Sequence, residues 1–429
     1  MTRFDWGLRV ARANYFGVTA WAVGIRGISS NSCFQLRGKH FKPTMVHQIA
    51  KIIQMLTAAG AIASIVYYAL CLWSAGKFLR ERKEPHKALP QTPVSILKPL
   101  RGTDPEMYES FRSHCLQDYP EYEIIFGVSQ ANDPAIQLVE RLKAEFPQHA
   151  IRLLVCPEKL GNNTKVSNLA QMVRESRHEY IIVNDSDIRV EPDYLRRVLA
   201  PLTDPAVGLV TCLYRGVANS TLGSRLESLG ISTDFSAGVL VAQNIEQGIR
   251  FGLGSTLAFR RRDLQAIGGF ESLVDYLADD YELGNRIAAS GLKVRLSDVV
   301  VETFLPRYTL RGFLDHQLRW ARTVRDSRFW GYVGLGLTFG LPWAVLVLIF
   351  ARGASWAWAL FACTAVMRVI VAVVVGRVVL HDRQVVRFLA WIPVRDLFAL
   401  LVWIVSFAGH KIVWRGDQFR LEKGKLVTM

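Results

Sequence analysis

Long apolar stretches without charge occur towards both ends of the chain, and a mixed pattern lies between them. Residues 52–73 carry no charged side chain, and this length suits a membrane-spanning helix, which needs about 20 apolar residues. Apolar segments return after Trp330, and the last of them contains Arg395 and Asp396, two adjacent charges of opposite sign. A charged pair inside a membrane usually indicates a functional site. Pro393 could equally end the segment, which would leave both charges at the membrane interface.

The central part of the chain shows the pattern of an α/β domain. Short continuous apolar runs predict buried strands at residues 94–97, 123–128, 151–155 and 180–183, with helices between them at 107–116, 135–146 and 167–175. Alternating strands and helices predict a mostly parallel sheet, in which ligands bind at the carboxyl ends of the strands.

These patterns divide the chain into five parts. They are a basic extension at residues 1–44, a transmembrane anchor at 52–73, a globular domain at 84–330, a membrane region at 331–413 and a basic tail at 414–429. Asp5 is the one acidic residue of the extension. We expect the extension to lie upstream of the true start, because Met45 follows it, and a functional presequence is the alternative.

The charge balance favours a lipid bilayer over nucleic acid as the partner. The chain has 52 Lys and Arg against 37 Asp and Glu, a net charge of +15, and 21% of its residues are charged, against about 25% in soluble proteins. No nucleic-acid-binding motif accompanies the positive charge. Lys77, Arg80 and Arg82 follow the anchor, which predicts that this end faces the cytoplasm. Six widely spaced cysteines argue against a zinc site and a disulfide framework.

The number of membrane crossings after the globular domain decides on which side of the membrane the C-terminal residues lie. Three crossings after the globular domain would place the basic tail, with Arg420 and Lys423, on the outer side, against the positive-inside tendency. We therefore expect one apolar segment to lie in the membrane interface or to re-enter. The pattern alone does not say which one.

Two carboxylates separated by one residue follow the predicted strand at 180–183. They are Asp185 and Asp187. Carboxylate oxygens are the ligands that Mg²⁺ and Mn²⁺ prefer, and a divalent ion suits a diphosphate. The same pair also occurs at ordinary strand ends and turns, so the rest of the sequence has to decide between the two interpretations.

A second acidic pair, Asp279 and Asp280, precedes a predicted helix at residues 281–289. The simplest interpretation of Asp279 is a helix cap. Asp280 could instead face a cleft as a general base and take a proton from an acceptor hydroxyl.

A basic helix is predicted shortly before the C-terminal membrane region. His316, Arg319 and Arg322 share one face of it, at a spacing of three residues. This face could neutralise a departing diphosphate. The alternative is a helix that rests on anionic lipid headgroups.

In order and spacing, these motifs resemble glycosyltransferase family 21, the ceramide glucosyltransferases and their bacterial relatives, including the hopanoid-associated glycosyltransferases. The resemblance covers roughly residues 90–330. Asp104, in the segment Lys-Pro-Leu-Arg-Gly-Thr-Asp-Pro, matches the first spaced aspartate of the family, Asp185 the second and Asp280 the third. Arg319 and Trp320 match the end of the family's (Gln/Arg)-x-x-Arg-Trp motif.

The first position of that last motif departs from the family pattern. It holds His316, and a glutamine, Gln317, stands one residue later. Asp187 also departs from the animal ceramide enzymes, which have a non-acidic residue there, and its presence favours the bacterial relatives.

The resemblance implies an A-type glycosyltransferase fold and a cytoplasmic glycosyltransferase domain at residues 84–330. It implies catalytic roles for Asp280, His316, Arg319 and Trp320, nucleotide-sugar binding by Asp104, Lys165, Asp185 and Asp187, and Mg²⁺ or Mn²⁺ bound by Asp185 and Asp187. Two of these assignments have simpler alternatives, because Asp104 precedes a proline as a turn residue would, and Lys165 could be a solvated loop lysine.

The expected function is that of an inverting transferase in the bacterial inner or plasma membrane. It would move a hexose, most simply glucose, from a UDP-sugar to the hydroxyl of a ceramide-like membrane lipid. Three alternatives stay open: a hopanoid-lipid N-acetylglucosaminyltransferase, a processive polysaccharide synthase and a non-catalytic membrane adaptor.

Overall fold

The structure is a computed structural model, and it describes residues 43–82, 91–246, 248–414 and 417–428. The predicted extension at residues 1–44 lies outside the described residues, except for its last two positions.

Helices and strands alternate through the central domain, and helices dominate on both sides of it. The helices of the described residues are α1 (Pro43–Glu81), α2 (Met107–Cys115), α3 (Ala135–Glu145), α4 (Thr164–Glu175), α5 (Tyr194–Leu199), α6 (Leu222–Gly230), α7 (Ser236–Ile245), α8 (Arg261–Ala266), α9 (Asp279–Ala289), α10 (Leu310–Ser327), α11 (Phe329–Gly334), α12 (Gly340–Phe350), α13 (Ser355–Ala372), α14 (Arg383–Arg387) and α15 (Ile392–Ser406). The strands are β1 (Val94–Leu100), β2 (Tyr122–Val128), β3 (Ala150–Val155), β4 (Tyr180–Val183), β5 (Ile188–Arg189), β6 (Val207–Val217), β7 (Leu257–Arg260), β8 (Lys293–Phe304), β9 (Lys411–Trp414), β10 (Asp417–Glu422) and β11 (Lys425–Thr428).

An eight-stranded sheet forms the centre of the domain, in the order β3-β2-β1-β4-β7-β6-β8-β5. β1 pairs in parallel with β2 and β4, and β2 pairs in parallel with β3. β7 runs antiparallel to both of its neighbours, β4 and β6. Every residue of β1 is buried, including Ser95 and Lys98, since helices cover both faces of such a sheet. The expected α/β fold, with all four predicted strands, is confirmed.

Three helical segments of the described residues are long and apolar enough to cross a membrane. They are His47–Glu81 in α1, Ser355–Val379, in which a π-helical turn extends α13, and Leu389–Ser406, which contains α15. A further pair, Phe329–Thr338 and Gly340–Phe350, meets the same criterion only when taken together, and it is bent by 55°. Apolar helices therefore flank the domain on both sides, as expected.

The segment around α15 begins and ends beside the central domain. Before it, Arg215 of β6 donates to the carbonyl of Leu380 at 2.9 Å, and Ser232 donates to the Asp382 carboxylate at 2.8 Å. After it, Arg325 of α10 donates to the carbonyls of Ser406 and Gly409. The chain is therefore held against the central domain both before and after α15.

The residues expected to form a basic tail form a small antiparallel sheet instead, in the order β11-β10-β9. Its apolar side chains Ile412, Phe419, Leu421 and Leu426 form a buried cluster with Leu277 of the central domain. Alternating buried and exposed residues in β10 produce one apolar face, which covers Leu277.

Gly284 in α9 should not tolerate a side chain. A methyl group there would lie 2.2 Å from the backbone nitrogen of Gly252 and 2.4 Å from the backbone carbon of Phe251. We expect Gly284→Ala to destabilise the protein by about 1–3 kcal/mol through overpacking. The control is Gly76→Ala in α1, whose new methyl group would meet no atom within 4 Å. Thermal unfolding in detergent should separate the two variants, and equal melting temperatures would contradict this packing.

Candidate active site

The end of β4 delivers two of the expected carboxylates to one edge of the sheet. Asn184, fully buried, fixes this end by donating to the Ser255 carbonyl at 2.7 Å and to the Tyr194 hydroxyl at 2.9 Å. Asp185 and Asp187 follow at once, where parallel strands of this class bind their ligands. Sequence reasoning did not identify Asn184 as the residue that anchors the motif.

Lys165 joins two acidic segments that are distant in the chain. Its ammonium group lies 2.8 Å from Asp185 Oδ1 and 3.2 Å from Asp279 Oδ2. It sits in the first turn of α4, whose N-cap Asn163 accepts a hydrogen bond from Val166. Burial opposes the charged form, but the two carboxylates outweigh it and raise the pKa of Lys165. The solvated-lysine interpretation is therefore wrong.

Asp279 is not the helix cap that its position suggests. If Asp279 were the cap, α9 would begin at Asp280, but it begins at Asp279. Its N-cap residue is Ala278, and no side chain caps the helix. The Asp279 carboxylate pairs with Lys165 instead. Helix position alone could not reveal this, because the partner comes from α4.

Asp280 is held by two backbone N–H groups. Gly254 donates to its Oδ2 atom and Tyr281 to its Oδ1 atom, both at 2.8 Å. Burial, reinforced by the negative charge of Asp279, raises the pKa of Asp280 to about 6. A carboxylate with this pKa is a better proton acceptor near neutral pH than an ordinary aspartate.

Gly254 lies between two of the expected site residues. A methyl group on it would lie 2.9 Å from Asp185 Oδ2 and 3.4 Å from Asp280 Oδ2. The absence of a side chain at this position therefore lets both carboxylates face the same space. The sequence signal for it was the Gly-Leu-Gly segment before β7, which packing against a strand would explain as well.

Asp104 and Asp187 complete the acidic edge, each with a hydroxyl partner. Ser186 donates to Asp104 Oδ2, and Thr303 of β8 donates to Asp187 Oδ2, both at 2.5 Å. Burial, and then the nearby charge of Asp185, raise the pKa of Asp187 to about 6. The sequence motifs did not indicate Ser186 and Thr303 as partners of the carboxylates, because a hydroxyl side chain alone does not mark a functional site.

The acidic edge fits a divalent cation that is shared with a bound diphosphate. Among the described residues, no group of three or more His, Cys, Asp or Glu side chains forms a complete cage. Mg²⁺ is usually bound by one or two carboxylates, with substrate phosphates and water completing its shell. Asp185 and Asp187 provide that donor set, so the site is suited to an ion that arrives with the nucleotide.

His316 and Trp320 form an aromatic group on α10. The His316 ring lies 5.3 Å from that of Tyr308 and 5.5 Å from that of Trp320, measured between centroids. His316 Nδ1 is 3.4 Å from Oε1 of Glu227, a carboxylate on α6 that is almost fully buried. Glu227 was not among the expected site residues, and its place within a helical segment gave no indication of it.

Arg319 lies near this aromatic group, whereas Arg322 does not belong to it. Burial raises the pKa of the Tyr308 phenol, and the charge of Arg319 partly offsets that effect. Arg322 donates to the carbonyl of Ala408 at 2.9 Å and to that of Lys411. The expectation that Arg322 faces the diphosphate is therefore wrong. It holds the chain that follows α15, where a helix C-terminus favours a cation.

Arg395 and Asp396 do not pair with each other. Asp396 accepts two hydrogen bonds from Arg368 of α13, at 2.7 and 2.9 Å, and Arg368 also donates to Asp234 at 2.6 Å. Arg395 donates to Gln317 of α10 at 3.1 Å. Both charges are buried within the protein, so the two adjacent residues tie α15 to different partners.

This fold, with acidic residues gathered at the carboxyl ends of its strands, defines an A-type glycosyltransferase. The chain belongs to glycosyl transferase family 21, whose family model matches residues 56–427. Both the expected family and the expected enzyme class are confirmed at this level. The roles of the individual site residues stay predictions.

Relatives and solved structures agree with the family. Ceramide glucosyltransferase 1 of Caenorhabditis elegans is 25% identical over 57% of this chain and 52% of its own length. Ceramide glucosyltransferase of Komagataella phaffii is 36% identical over 30% of this chain and 28% of its own length. The chain thus matches about half the length or less of these relatives. A mannosyltransferase from Pyrobaculum calidifontis, solved with GDP-Man and Mn²⁺, has a TM-score of 0.53 at 21% identity, over 85% of this chain and 99% of its own. That likeness shows the fold.

The raised pKa of Asp280 predicts an acid limb in the pH profile. A base with a pKa of about 6 is lost as the pH falls through 6, so kcat/KM should fall at least tenfold per pH unit below it, and more steeply where Asp187 takes up a proton in the same range. His316→Gln should keep this limb, whereas Asp279→Asn should move it to lower pH by removing a charge that raises the pKa. Initial rates between pH 4.5 and 8 measure both effects. Loss of the limb in His316→Gln would contradict the role of Asp280.

Proposed function

We propose that the protein transfers a hexose, glucose in the simplest case, from a UDP-sugar to the hydroxyl of a ceramide-like membrane lipid, with inversion at the anomeric carbon. The observation that carries this proposal is the Asp280 carboxylate, fixed by two backbone N–H groups and raised in pKa beside the acidic edge. The family and the ceramide glucosyltransferases among its relatives support the substrate class.

In the proposed reaction, Asp280 accepts the proton of the lipid hydroxyl. The hydroxyl oxygen then bonds to the anomeric carbon from the side opposite the diphosphate, and the bond from that carbon to the diphosphate oxygen breaks. Asp104 hydrogen-bonds the nucleoside, and Lys165 keeps Asp185 in place. When bound by Asp185 and Asp187, Mg²⁺ or Mn²⁺ supplies positive charge for the leaving diphosphate.

The α10 residues act on the other side of the leaving group in this proposal. His316 donates a hydrogen bond to a phosphate oxygen, and Arg319 adds positive charge, since groups fixed in advance stabilise developing charge effectively. Trp320 packs against Phe235, with 5.9 Å between ring centroids, and gives the acceptor an apolar wall.

A second candidate within the same chemistry is transfer of N-acetylglucosamine to a hopanoid lipid. The acidic residue at Asp187 favours it, because the animal ceramide enzymes lack that carboxylate. Neither a polysaccharide synthase nor an adaptor receives comparable support. The expected site carboxylates are present and come together at one sheet edge, which argues against a degenerate site.

We also propose that the chain crosses the membrane an even number of times after the central domain. Ala357, at the start of α13, packs in one cluster with Ala61 of α1. About 30 Å of helix separates Ala61 from Glu81, the end of α1 that adjoins the domain. The start of α13 therefore packs deep in the span of α1, well away from the domain, which supports a course of α13 from the far side of the membrane back towards the domain. The bent pair of helices within residues 329–350 takes the chain to the far side, and α13 brings it back.

The remaining apolar segment, residues 389–406, would then lie in the plane of the interface. The chain before this segment, at Leu380, and the chain after it, at Gly409, both contact the central domain. Leu397, Leu401 and Ile404 on α15 are exposed, whereas Arg395 and Asp396 are buried against the protein. One apolar face towards lipid and one polar face are typical of a helix in the membrane plane. The basic residues Lys77, Arg80 and Arg82 at the end of α1 support a cytoplasmic position for the domain.

Transfer of label into lipid tests the proposed reaction. Membranes carrying the protein would receive labelled UDP-glucose or UDP-N-acetylglucosamine with ceramide, a hopanoid polyol or diacylglycerol. We expect chloroform-soluble label with ceramide and UDP-glucose, reduced about 10²–10⁴-fold in Asp280→Asn because a general base contributes that much. Label in the hopanoid alone would establish the second candidate. UDP-sugar binding without label in any lipid would contradict both.

Labelling of introduced cysteines tests the membrane arrangement, with the buried Cys71, Cys115, Cys156 and Cys212 left in place and the unsubstituted background as the blank. With Cys33 and Cys363 replaced by Ser, a membrane-impermeant thiol reagent would be applied to Arg352→Cys, Arg387→Cys and Val427→Cys in vesicles of both orientations. Arg387→Cys and Val427→Cys should react from the same face, and Arg352→Cys from the opposite face. Reaction of Arg387→Cys and Val427→Cys from opposite faces would show that residues 389–406 cross the membrane.

A further inference from the structure

The C-terminal sheet, formed by β9, β10 and β11, contacts the loop that leads into α4. Asn162 donates from Nδ2 to the carbonyl of Leu426 at 2.8 Å, and Thr428 donates to Asn162 Oδ1 at 3.1 Å. Asn162 directly precedes the N-cap of α4 and stands three residues before Lys165. The edge strand β11 therefore holds the start of the helix turn that carries the Lys165 ammonium.

The same strand also holds the loop that leads into α9. Leu426 donates its N–H to the carbonyl of Asp275 at 2.7 Å, and Leu277 donates its N–H to the carbonyl of Gly424 at 3.2 Å. The Lys425 ammonium lies 5.3 Å from the ring centroid of Tyr276. The buried Leu277 side chain completes the contact. This loop ends at Asp279, the second partner of Lys165.

A third set of contacts ties the C-terminal sheet to α10. The Asp326 carboxylate accepts the N–H of Gly424, in the turn between β10 and β11. Arg325 lies 2.9 Å from His410 Nδ1, just before β9. α10 is the helix that presents His316, Arg319 and Trp320, so the sheet touches every segment that carries the proposed chemistry except the ends of β1 and β4.

The two loops also bind each other, which makes the arrangement a closed set of contacts. Asn162 donates its N–H to Asp275 Oδ1 at 3.0 Å, and Asn163 donates from Nδ2 to the carbonyl of Tyr276 at 2.7 Å. The loops alone could move as a pair relative to α10. The C-terminal sheet removes that freedom, because it is bonded to both loops and to the helix.

We propose that the C-terminal sheet is a positioning element of the active site, which fixes the Lys165 and Asp279–Asp280 segments relative to α10, with Asn162 and Asp326 as its positioning residues. This inference rests on the proposed function. A displacement of about 1 Å at a reacting group can reduce a rate by about 10²-fold. Loosening the sheet should therefore lower kcat well before it unfolds the domain, whose main sheet shares no strand with it.

A matched set of variants in the full chain tests the proposal. Asp326→Leu removes the acceptor for the Gly424 N–H, whereas Asp326→Asn keeps an acceptor of the same shape. Asn162→Ala removes both side-chain bonds to β11. Val413→Ser is the control, because Val413 belongs to the same sheet but is 64% exposed. None of these residues belongs to the proposed catalytic or binding groups.

We expect Asp326→Leu and Asn162→Ala to lower kcat at least tenfold, with the affinity for UDP changed less than threefold and the melting temperature nearly unchanged. Asp326→Asn and Val413→Ser should behave as the wild type. Wild-type kcat in Asp326→Leu and Asn162→Ala would overturn the proposal. Parallel losses of kcat, UDP binding and melting temperature would also overturn it, because they would show a purely structural role.

Hydrogen exchange separates this inference from the proposed function. In Asp326→Leu, the amides of residues 161–165 and 274–280 should exchange faster, while those of β1, β2 and β4 stay protected. That readout requires no turnover, so it stands even if the wild type transfers no sugar to any lipid tested. Unchanged exchange in both loops would overturn the positioning role, whatever the activity.

Discussion

The ion pairs of Lys165 with Asp185 and Asp279 are the interactions on which the rest of the site depends. Several carboxylates meet at this edge of the sheet, and like charges so close disfavour each other's ionisation. Burial is the main cause of the raised pKa of Asp187 and Asp280, and the neighbouring carboxylates Asp185 and Asp279 raise it further. Lys165 holds the edge together because it offsets charge from both sides. It also joins the start of α9 to the end of β4, and so it places Asp280 beside the acidic edge.

The sequence carried enough information for the sheet and for the order of the site aspartates. A buried strand leaves a short, mainly apolar run, as in β4 and the first half of β1, and Asp185 and Asp187 follow such a run. Contacts between distant segments were beyond reach. The partner of Lys165 comes from α9, that of Asp187 from β8 and that of His316 from α6, and no local pattern encodes such pairs.

The error on Arg322 has the same origin. A spacing of three residues correctly placed His316, Arg319 and Arg322 along one side of a helix, but it did not say what that side meets along its length. α10 is long enough to face the aromatic group at one end and the chain after α15 at the other. The shared face therefore serves two purposes, of which only the first concerns the proposed chemistry.

A π-helical turn at Ile231–Phe235 links the membrane-side charges to this aromatic group. Within it, Asp234 pairs with Arg368 of α13, and the next residue, Phe235, packs against Trp320. The Arg368 guanidinium is buried and is shared between Asp234 and Asp396, so breaking either pair would leave part of a buried charge uncompensated. The turn is therefore held firmly from the membrane side. Through it, the membrane helices constrain where the aromatic ring of Trp320 can lie.

The unusual order of His316 and Gln317 makes sense within that constraint. Gln317 donates to Glu227 at 2.8 Å and accepts from Arg395, so it occupies the space between α6 and α15. Because the Gln317 side chain bonds to those two partners, it points away from the aromatic group. The adjacent residue lies about 100° around the helix and faces the aromatic group instead. His316 is that residue. The first position of the motif thus carries a hydrogen-bonding side chain in this chain, while Gln317 at the next position anchors α10 to α15.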